Sequence, residues 1–237
     1  MKKEMFICIL TLIMIFMTAC NPFYDLPMKQ NVKVFEEKGD LSASLNVGPL
    51  LLSAGADVAY ALTDNIGFVS GLNLMNISAS NTSAFRDFQI ENEIVFFKKF
   101  RQEALSGQYA AFNIGHGFAG YNIGNPYFSL NMNRFFLQPS YGVKFFKRSN
   151  ITFSARIIAV IYDLNMFTEG KTQTQIQLTK EYFNLDRLND NIFVLETAFT
   201  YHYNTRNGDV ISYQLITPLD MLPISLLTIS YRKYFNK

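Results

Sequence analysis

Residues 51–62 read Leu-Leu-Ser-Ala-Gly-Ala-Asp-Val-Ala-Tyr-Ala-Leu, and apolar side chains occupy every second position of this stretch. The even-numbered members are apolar, whereas Ser53, Gly55 and Asp57 lie on the alternate face. Successive side chains of a β-strand point to opposite faces, so a period of two predicts a strand with one apolar and one more polar face. Residues 151–162 repeat the pattern, and no helical period of similar strength is visible.

The same period continues from about residue 40 to the end of the chain. It predicts an all-β fold: a small antiparallel transmembrane up-and-down β-barrel over residues 40–237, of about ten strands. Eight strands are the alternative, with the first pair and the last pair each merged into one strand, because a closed bacterial barrel requires an even number. The expected strands are 41–49, 51–62, 66–77, 87–99, 107–118, 130–146, 151–164, 192–204, 209–217 and 223–235.

The face opposite the apolar one decides between a membrane barrel and a soluble sandwich. A sandwich core rarely buries many charges, because each unpaired buried ion costs several kcal/mol. In a narrow barrel, opposite charges can pair across the lumen while the apolar face meets lipid, so we favour the membrane barrel over a lipid-anchored sandwich or lipocalin-like barrel. The residues expected on the interior face are Asp57, Gln89, Glu91, Glu93, Arg134, Gln138, Lys144, Arg156, Glu196, His202 and Arg232.

Two of these carboxylates, Glu91 and Glu93, resemble a paired-carboxylate site. Residues two apart on one strand share a face, so they are expected to meet Arg134, Lys144 or Arg156 across the barrel. We therefore expect a salt-bridged interior network of Asp57, Glu91, Glu93, Arg134, Lys144, Arg156, Glu196 and Arg232.

Connection lengths predict the orientation in the membrane. Outer-membrane barrels have short periplasmic turns and longer surface loops. With the N-terminus in the periplasm, the short polar turns at 63–65, 147–150 and 205–209 are periplasmic. The longest connection, residues 165–191, then lies outside the cell.

Aromatic residues cluster near the ends of the expected strands, where they commonly form girdles at the membrane interfaces. The C-terminal residues 230–237 resemble the aromatic strand signal read by the outer-membrane assembly machinery, with Phe235 third from last. The expected girdle residues are Phe96, Phe97, Phe100, Phe145, Phe146, Tyr201, Tyr203, Tyr231, Tyr234 and Phe235.

The N-terminus has the pattern of a lipoprotein signal peptide. Two lysines precede an apolar run over residues 5–17, and Thr18-Ala19-Cys20 follows. The run is too short for a membrane-spanning helix, which needs about 20 residues. We expect a signal peptide over residues 1–19, a lipid-carrying Cys20 and an acylated tether over residues 20–39; the alternative is an ordinary secretory signal. The only other cysteine is Cys8, within the removed part.

Three short segments carry a family resemblance. Val34-Phe35-Glu36-Glu37-Lys38-Gly39-Asp40-Leu41 is an entry segment, residues 56–67 contain a Tyr-x-x-Thr hairpin, and Phe135-Phe136-Leu137-Gln138-Pro139 is a later strand. Together they resemble a group of barrel lipoproteins from the Bacteroidota. The resemblance implies a bacterial outer-membrane location, with a lipid anchor at Cys20, and the barrel architecture. It supplies no catalytic residue, because the group is largely without assigned activity.

Motifs that would carry chemistry are few. His116 and His202 are the only histidines and lack metal-ligand spacing, so we expect no metal, no cofactor and no catalytic residue. A formal net charge of +2 gives no argument for a nucleic acid partner. A hydrolase built from a serine, His202 and Glu196 is an alternative.

The combined features favour a non-enzymatic accessory subunit of a larger envelope complex, in contact with outer-membrane lipid. Export, protein or lipoprotein assembly, and surface-polymer machinery are the expected settings. A narrow pore or small-ligand transporter is the first alternative, although eight to ten strands leave an interior just wide enough for side chains or one small ligand. An outer-membrane lipid-modifying enzyme is the second.

Overall fold

The computed structural model describes residues 29–30, 35, 37–48, 53–79, 83–102, 107–123, 128–166, 170–182, 192–218 and 226–235. The expected signal peptide and Cys20 lie outside these residues. The strands are β1 (Leu41–Val47), β2 (Ser53–Ala61), β3 (Ile66–Ala79), β4 (Ser83–Gln102), β5 (Gly107–Ile123), β6 (Phe128–Phe146), β7 (Ser149–Met166), β8 (Ile192–Asn204), β9 (Val210–Pro218) and β10 (Leu226–Tyr234), and the helix α1 is Gln173–Tyr182.

The ten strands form one closed barrel. Each strand pairs antiparallel with its neighbours in sequence, and β1 pairs with β10 to close the ring. The prediction of a ten-stranded up-and-down barrel is confirmed. The alternative of eight strands is wrong, because β1 and β2 are separate antiparallel strands, as are β9 and β10.

Side chains alternate across the barrel wall as the sequence period requires. On β2, Asp57, Ala59 and Ala61 are buried inside, whereas Val58 and Tyr60 are exposed on the outer surface. A closed barrel satisfies all its backbone hydrogen bonds between strands, and its exposed apolar face then meets lipid. The chain is therefore an outer-membrane β-barrel. Large apolar side chains exposed on the outside include Leu45, Leu72, Ile90, Ile94, Phe112, Ile114, Leu137, Ile157, Leu195, Leu215 and Ile229.

Two residues of the expected aromatic girdle face inward instead. Phe97 is buried, and its ring centroid lies 5.1 Å from that of Phe35. Tyr234 lies on the same face of β10 as the buried Arg232. Both differences follow from the period of two, because Phe96 and Lys233, the adjacent residues, occupy the outer face. Aromatic type alone does not decide the face.

Helix α1 lies in the longest connection. The sequence pattern did not predict this helix. Thr172 and Gln175 form a capping box: the Gln175 backbone N–H donates to Thr172 Oγ1 at 3.3 Å, and the Thr172 backbone N–H donates to Gln175 Oε1 at 3.0 Å. The helix is largely polar and exposed, so it lacks the apolar stripe by which helices are recognised. Within the described residues, no helix has the length and apolar character needed to cross a membrane.

Candidate functional site in the barrel lumen

Two buried arginines organise the centre of the lumen. Arg134 Nη1 lies 3.1 Å from Glu91 Oε1, and Arg156 Nη1 lies 3.2 Å from Glu91 Oε2. Arg156 Nε also donates to Gln138 Oε1 at 2.8 Å, and its guanidinium stacks 4.3 Å from the centre of the Phe136 ring. Charge-assisted hydrogen bonds such as those of Arg156 hold a planar guanidinium group in one orientation. The network therefore joins β4, β6 and β7 across the interior.

Two further carboxylates extend the network. Arg156 Nη2 lies 3.9 Å from Glu93 Oε1, and Arg134 Nη2 lies 3.8 Å from Glu196 Oε1. Asn113 Nδ2 donates to Glu93 Oε2 at 2.6 Å. All three glutamates thus face guanidinium groups in a space from which solvent is excluded.

A second ion cluster lies on the β1, β2 and β10 side of the lumen. Arg232 Nη2 donates to Asp57 Oδ1 at 2.8 Å, and Lys29 Nζ donates to Asp57 Oδ2 at 2.8 Å. The Ser44 hydroxyl donates to the same carboxylate oxygen as Lys29. Lys29 precedes the barrel in sequence, so part of the tether lies inside the lumen.

Gln30 is held in the lumen by several hydrogen bonds. Its backbone N–H donates to Gln214 Oε1 at 2.8 Å, and Gln214 Nε2 donates to its backbone carbonyl at 2.9 Å. The Ser154 hydroxyl donates to Gln30 Oε1 at 2.6 Å, and Gln30 Nε2 lies 3.5 Å from Glu196 Oε2. The side chain of Gln214 therefore pairs with the backbone of Gln30 as a neighbouring strand would.

Phe35 anchors the tether near the end of the barrel that carries the short turns. Its ring is fully buried in a cluster of interior apolar residues of β2 to β5. Gly67 makes room for the ring, because a Cβ at that position would lie 2.1 Å from Phe35 Cε2. Beyond Phe35, the Gly39 N–H donates to the Ala61 carbonyl at 2.9 Å, beside the turn that follows β2. We call Lys29, Gln30 and Phe35 the lumenal residues.

Lys29 also contributes a positive charge to the two ion clusters of the lumen. The two ion clusters contain four carboxylates, those of Asp57, Glu91, Glu93 and Glu196. Three cations come from the barrel wall, Arg134, Arg156 and Arg232, and Lys29 supplies the fourth. Withdrawal of Lys29 would leave four carboxylates and three guanidinium groups in these two clusters.

The hydrolase alternative centred on His202 and Glu196 is not assembled. His202 Nδ1 lies 2.8 Å from Ser212 Oγ, and His202 Nε2 lies 3.2 Å from Thr152 Oγ1. No carboxylate hydrogen-bonds to this imidazole among the described residues. Glu196 instead pairs with Arg134, so the orienting acid of a catalytic triad is not in place.

The structure places all eight residues of the expected network on the inward face, and it joins seven of them in ion pairs. Lys144 is the exception: it is half-buried near the turn end of β6 and forms no ion pair with the described residues. Sequence reasoning missed the lumenal residues, because isolated side chains in an aperiodic segment leave no pattern. Ser154 and Gln214 form hydrogen bonds to Gln30. Both lie on the inward face, as the period of two predicts, but nothing in their type or spacing indicates that they bind another segment of the chain.

These features define a small outer-membrane barrel whose polar lumen is occupied by its own N-terminal residues. No protein-family model matches the sequence, and comparison with curated proteins gives no significant match. Among solved structures the chain is similar to an outer membrane channel from Pseudomonas putida F1, at 10% identity and a TM-score of 0.44, over 87% of this chain and 100% of that one. It is also similar to the KdgM porin, at 6% identity and a TM-score of 0.39, over 83% and 99%. The N-terminal β-barrel domain of Pseudomonas aeruginosa OprF follows, at 7% identity and a TM-score of 0.32, over 83% and 99%.

Proposed function

We propose that the protein is a narrow outer-membrane channel closed by its own lumenal residues. The observation that carries the proposal is the position of Gln30, which is held inside the barrel by hydrogen bonds and not by strand pairing. Such bonds contribute only about 1 kcal/mol each, so they can be exchanged for bonds to water. The lumenal residues can therefore leave the lumen without any strand of the barrel wall being broken.

The charge of the wall indicates which solutes would pass. When Lys29 leaves, the two ion clusters of the lumen comprise four carboxylates and three guanidinium groups. A narrow passage with excess negative charge attracts cations and repels anions. We infer that small cations or polar solutes carrying positive charge are the preferred class.

Conductance in planar bilayers tests this function. We expect the purified full chain to give brief, cation-selective openings. Glu91→Gln should lower the cation selectivity and Arg134→Gln should raise it, because each changes one charge at the centre of the lumen. Glu181→Gln, on the exposed helix α1, is the matched control and should leave selectivity unchanged. A full chain that gives no current above that of the bare bilayer would refute the channel.

A second candidate function is supported by the filled lumen itself. The buried ion pairs and the lumenal residues leave the barrel closed in the described state, which also suits a non-catalytic accessory subunit of an envelope complex. Gentle affinity purification from native outer membrane distinguishes the two functions. Stoichiometric envelope partners together with a silent bilayer would favour the subunit.

The proposal includes a lipid anchor at Cys20, supported by the signal pattern of residues 1–20. Kinship with the Bacteroidota barrel lipoproteins is likewise proposed on the sequence segments that resemble them. Two or three acyl chains, each contributing about 0.8 kcal/mol per buried methylene, would hold the N-terminus at the membrane surface. No catalytic step is assigned to the chain. Mass spectrometry of the mature N-terminal peptide would identify the acyl group.

A further inference from the structure

A cluster of polar side chains lies on the outer, lipid-facing surface of the barrel. The Ser70 hydroxyl on β3 donates to Asn92 Oδ1 on β4 at 2.9 Å. Asn92 stands directly opposite His116 of β5 in the strand register. His116 Nε2 in turn lies 3.4 Å from Asn133 Oδ1 of β6. We call Ser70, Asn92, His116 and Asn133 the outer polar cluster.

The two central members of this cluster lie within the apolar belt. Asn92 is flanked along β4 by Ile90 and Ile94, which are 41% and 47% exposed. His116 follows the exposed Ile114 on β5, and its ring packs 4.7 Å from that of Phe135. Polar groups surrounded by lipid-facing aliphatic and aromatic side chains sit at the depth of the hydrocarbon, where no water is available to them.

The outer polar cluster retains unused hydrogen-bonding capacity. Asn92 uses its carbonyl oxygen with Ser70, and its amide nitrogen forms no hydrogen bond within the described residues. His116 uses Nε2, and its other ring nitrogen forms none within them. A polar group without a partner in hydrocarbon costs several kcal/mol, so intramembrane polar residues commonly mark sites of interaction.

We propose that the outer polar cluster is the centre of an interface with a second copy of this chain. An amide donor on Asn92 and a ring-nitrogen acceptor on His116 complement each other across a two-fold axis, so the surface is complementary to itself. An axis along the membrane normal places both copies of the cluster at the same depth. A different membrane partner would need its own polar groups at that depth.

The surroundings of the cluster suit such an interface. The exposed side chains of Ile90, Ile94, Ile114 and Phe135 would enclose two reciprocal Asn92–His116 hydrogen bonds in an apolar ring. Fully desolvated polar contacts inside an apolar surround are typical of interface centres. A lipid-hydrolysing site is a poorer assignment, because β4 separates Ser70 from His116, and a nucleophile must lie within hydrogen-bond reach of its base.

Crosslinking in native membranes tests the interface. Ile94→Cys lies beside Asn92, and Leu215→Cys lies on β9, five strands further around the ten-stranded ring, with a similar exposure. With a short bifunctional thiol reagent, we expect a dimer from the first variant and little from the second. The chain without either substitution reports any background from Cys20.

Removal of the polar groups should weaken the dimer without unfolding the barrel. Asn92→Leu combined with His116→Phe replaces lipid-facing polar groups with apolar ones, which favours the monomer in lipid. Two lost hydrogen bonds of the strength found in membrane proteins predict roughly tenfold weaker dimerisation. Heat-modified mobility on gels would verify that the barrel is folded.

Three outcomes would overturn the proposal. Equal dimer yields from Ile94→Cys and Leu215→Cys would indicate random collision. A crosslink from Ile94→Cys to a different protein would assign the surface to that partner. An undiminished dimer in the doubly substituted, folded chain would show that Asn92 and His116 do not contribute.

Discussion

We expect Gly67→Ala to raise the open probability of the channel more than the substitution of any charged residue of the barrel wall. A Cβ at this position would lie 2.1 Å from Phe35 Cε2, so the ring must leave its place between β3 and the Phe97 ring. Burial of a phenylalanine side chain contributes about 2 kcal/mol, and its loss predicts an increase of roughly 30-fold in the displaced fraction of the lumenal residues. The measurement is the open probability of single channels in planar bilayers.

Two further variants make this result specific. Phe35→Ala removes the same burial from the other side of the contact and should raise the open probability in the same direction. Gly71→Ala is the matched control on the same strand, because a Cβ there would lie 3.6 Å from Asp57 Cβ, an ordinary contact. Equal open probabilities for Gly67→Ala and Gly71→Ala would mean that Phe35 does not hold the lumen closed.

Arg156→Met should cause the largest loss of stability. The guanidinium bonds Glu91 and Gln138, lies near Glu93 and is fully buried. Its removal takes away the guanidinium group that pairs with Glu91 and lies 3.9 Å from Glu93. Breaking a buried ion pair by deleting one partner costs about 3–5 kcal/mol, because the remaining charge is uncompensated. We expect a decrease of this size in the free energy of unfolding, measured by urea titration in lipid vesicles with circular dichroism.

Two further variants test whether the loss of stability in Arg156→Met arises from an uncompensated charge. Arg206→Met makes the same replacement at an exposed turn position and should change stability by less than about 0.5 kcal/mol. Adding Glu91→Gln to Arg156→Met removes one uncompensated charge and should recover at least about 1 kcal/mol. If the double variant is as unstable as the sum of the two single variants, the loss arises from packing and not from charge.

The period of two is the reason that the strands and the faces of their side chains could be predicted from the sequence. Each wall residue has only two environments, lipid or lumen, so alternation assigns both the strand and the face of side chains such as Val58 and Asp57. Strand ends were less well predicted: β4 begins at Ser83 rather than near 87, and β5 continues to Ile123 rather than near 118. Strands that extend beyond the apolar belt lose the lipid-facing pattern that marks them.

The pairing inside the lumen could be predicted only in outline. Alternation places Glu91, Arg134 and Arg156 on one face, but which of them touch depends on barrel diameter and stagger, which single strands do not encode. The lumenal residues were beyond prediction for a different reason. Gln30 is held by residues 124 and 184 positions away in the chain, and its short segment has no period of its own.

The accessibility of a cysteine beneath Gln30 tests the central claim most directly. Ser154 is buried and donates its hydroxyl to Gln30, so Ser154→Cys in the full chain should react slowly with a small water-soluble methanethiosulfonate. In a variant that keeps Cys20 but lacks residues 21–34, the same thiol should react at least about tenfold faster, because water then reaches the lumen. Thr174→Cys on the exposed helix α1 should react equally in both backgrounds. Slow modification only in the full chain is the result expected if the N-terminal residues close the lumen, and equal rates for Ser154→Cys in the two backgrounds would contradict it.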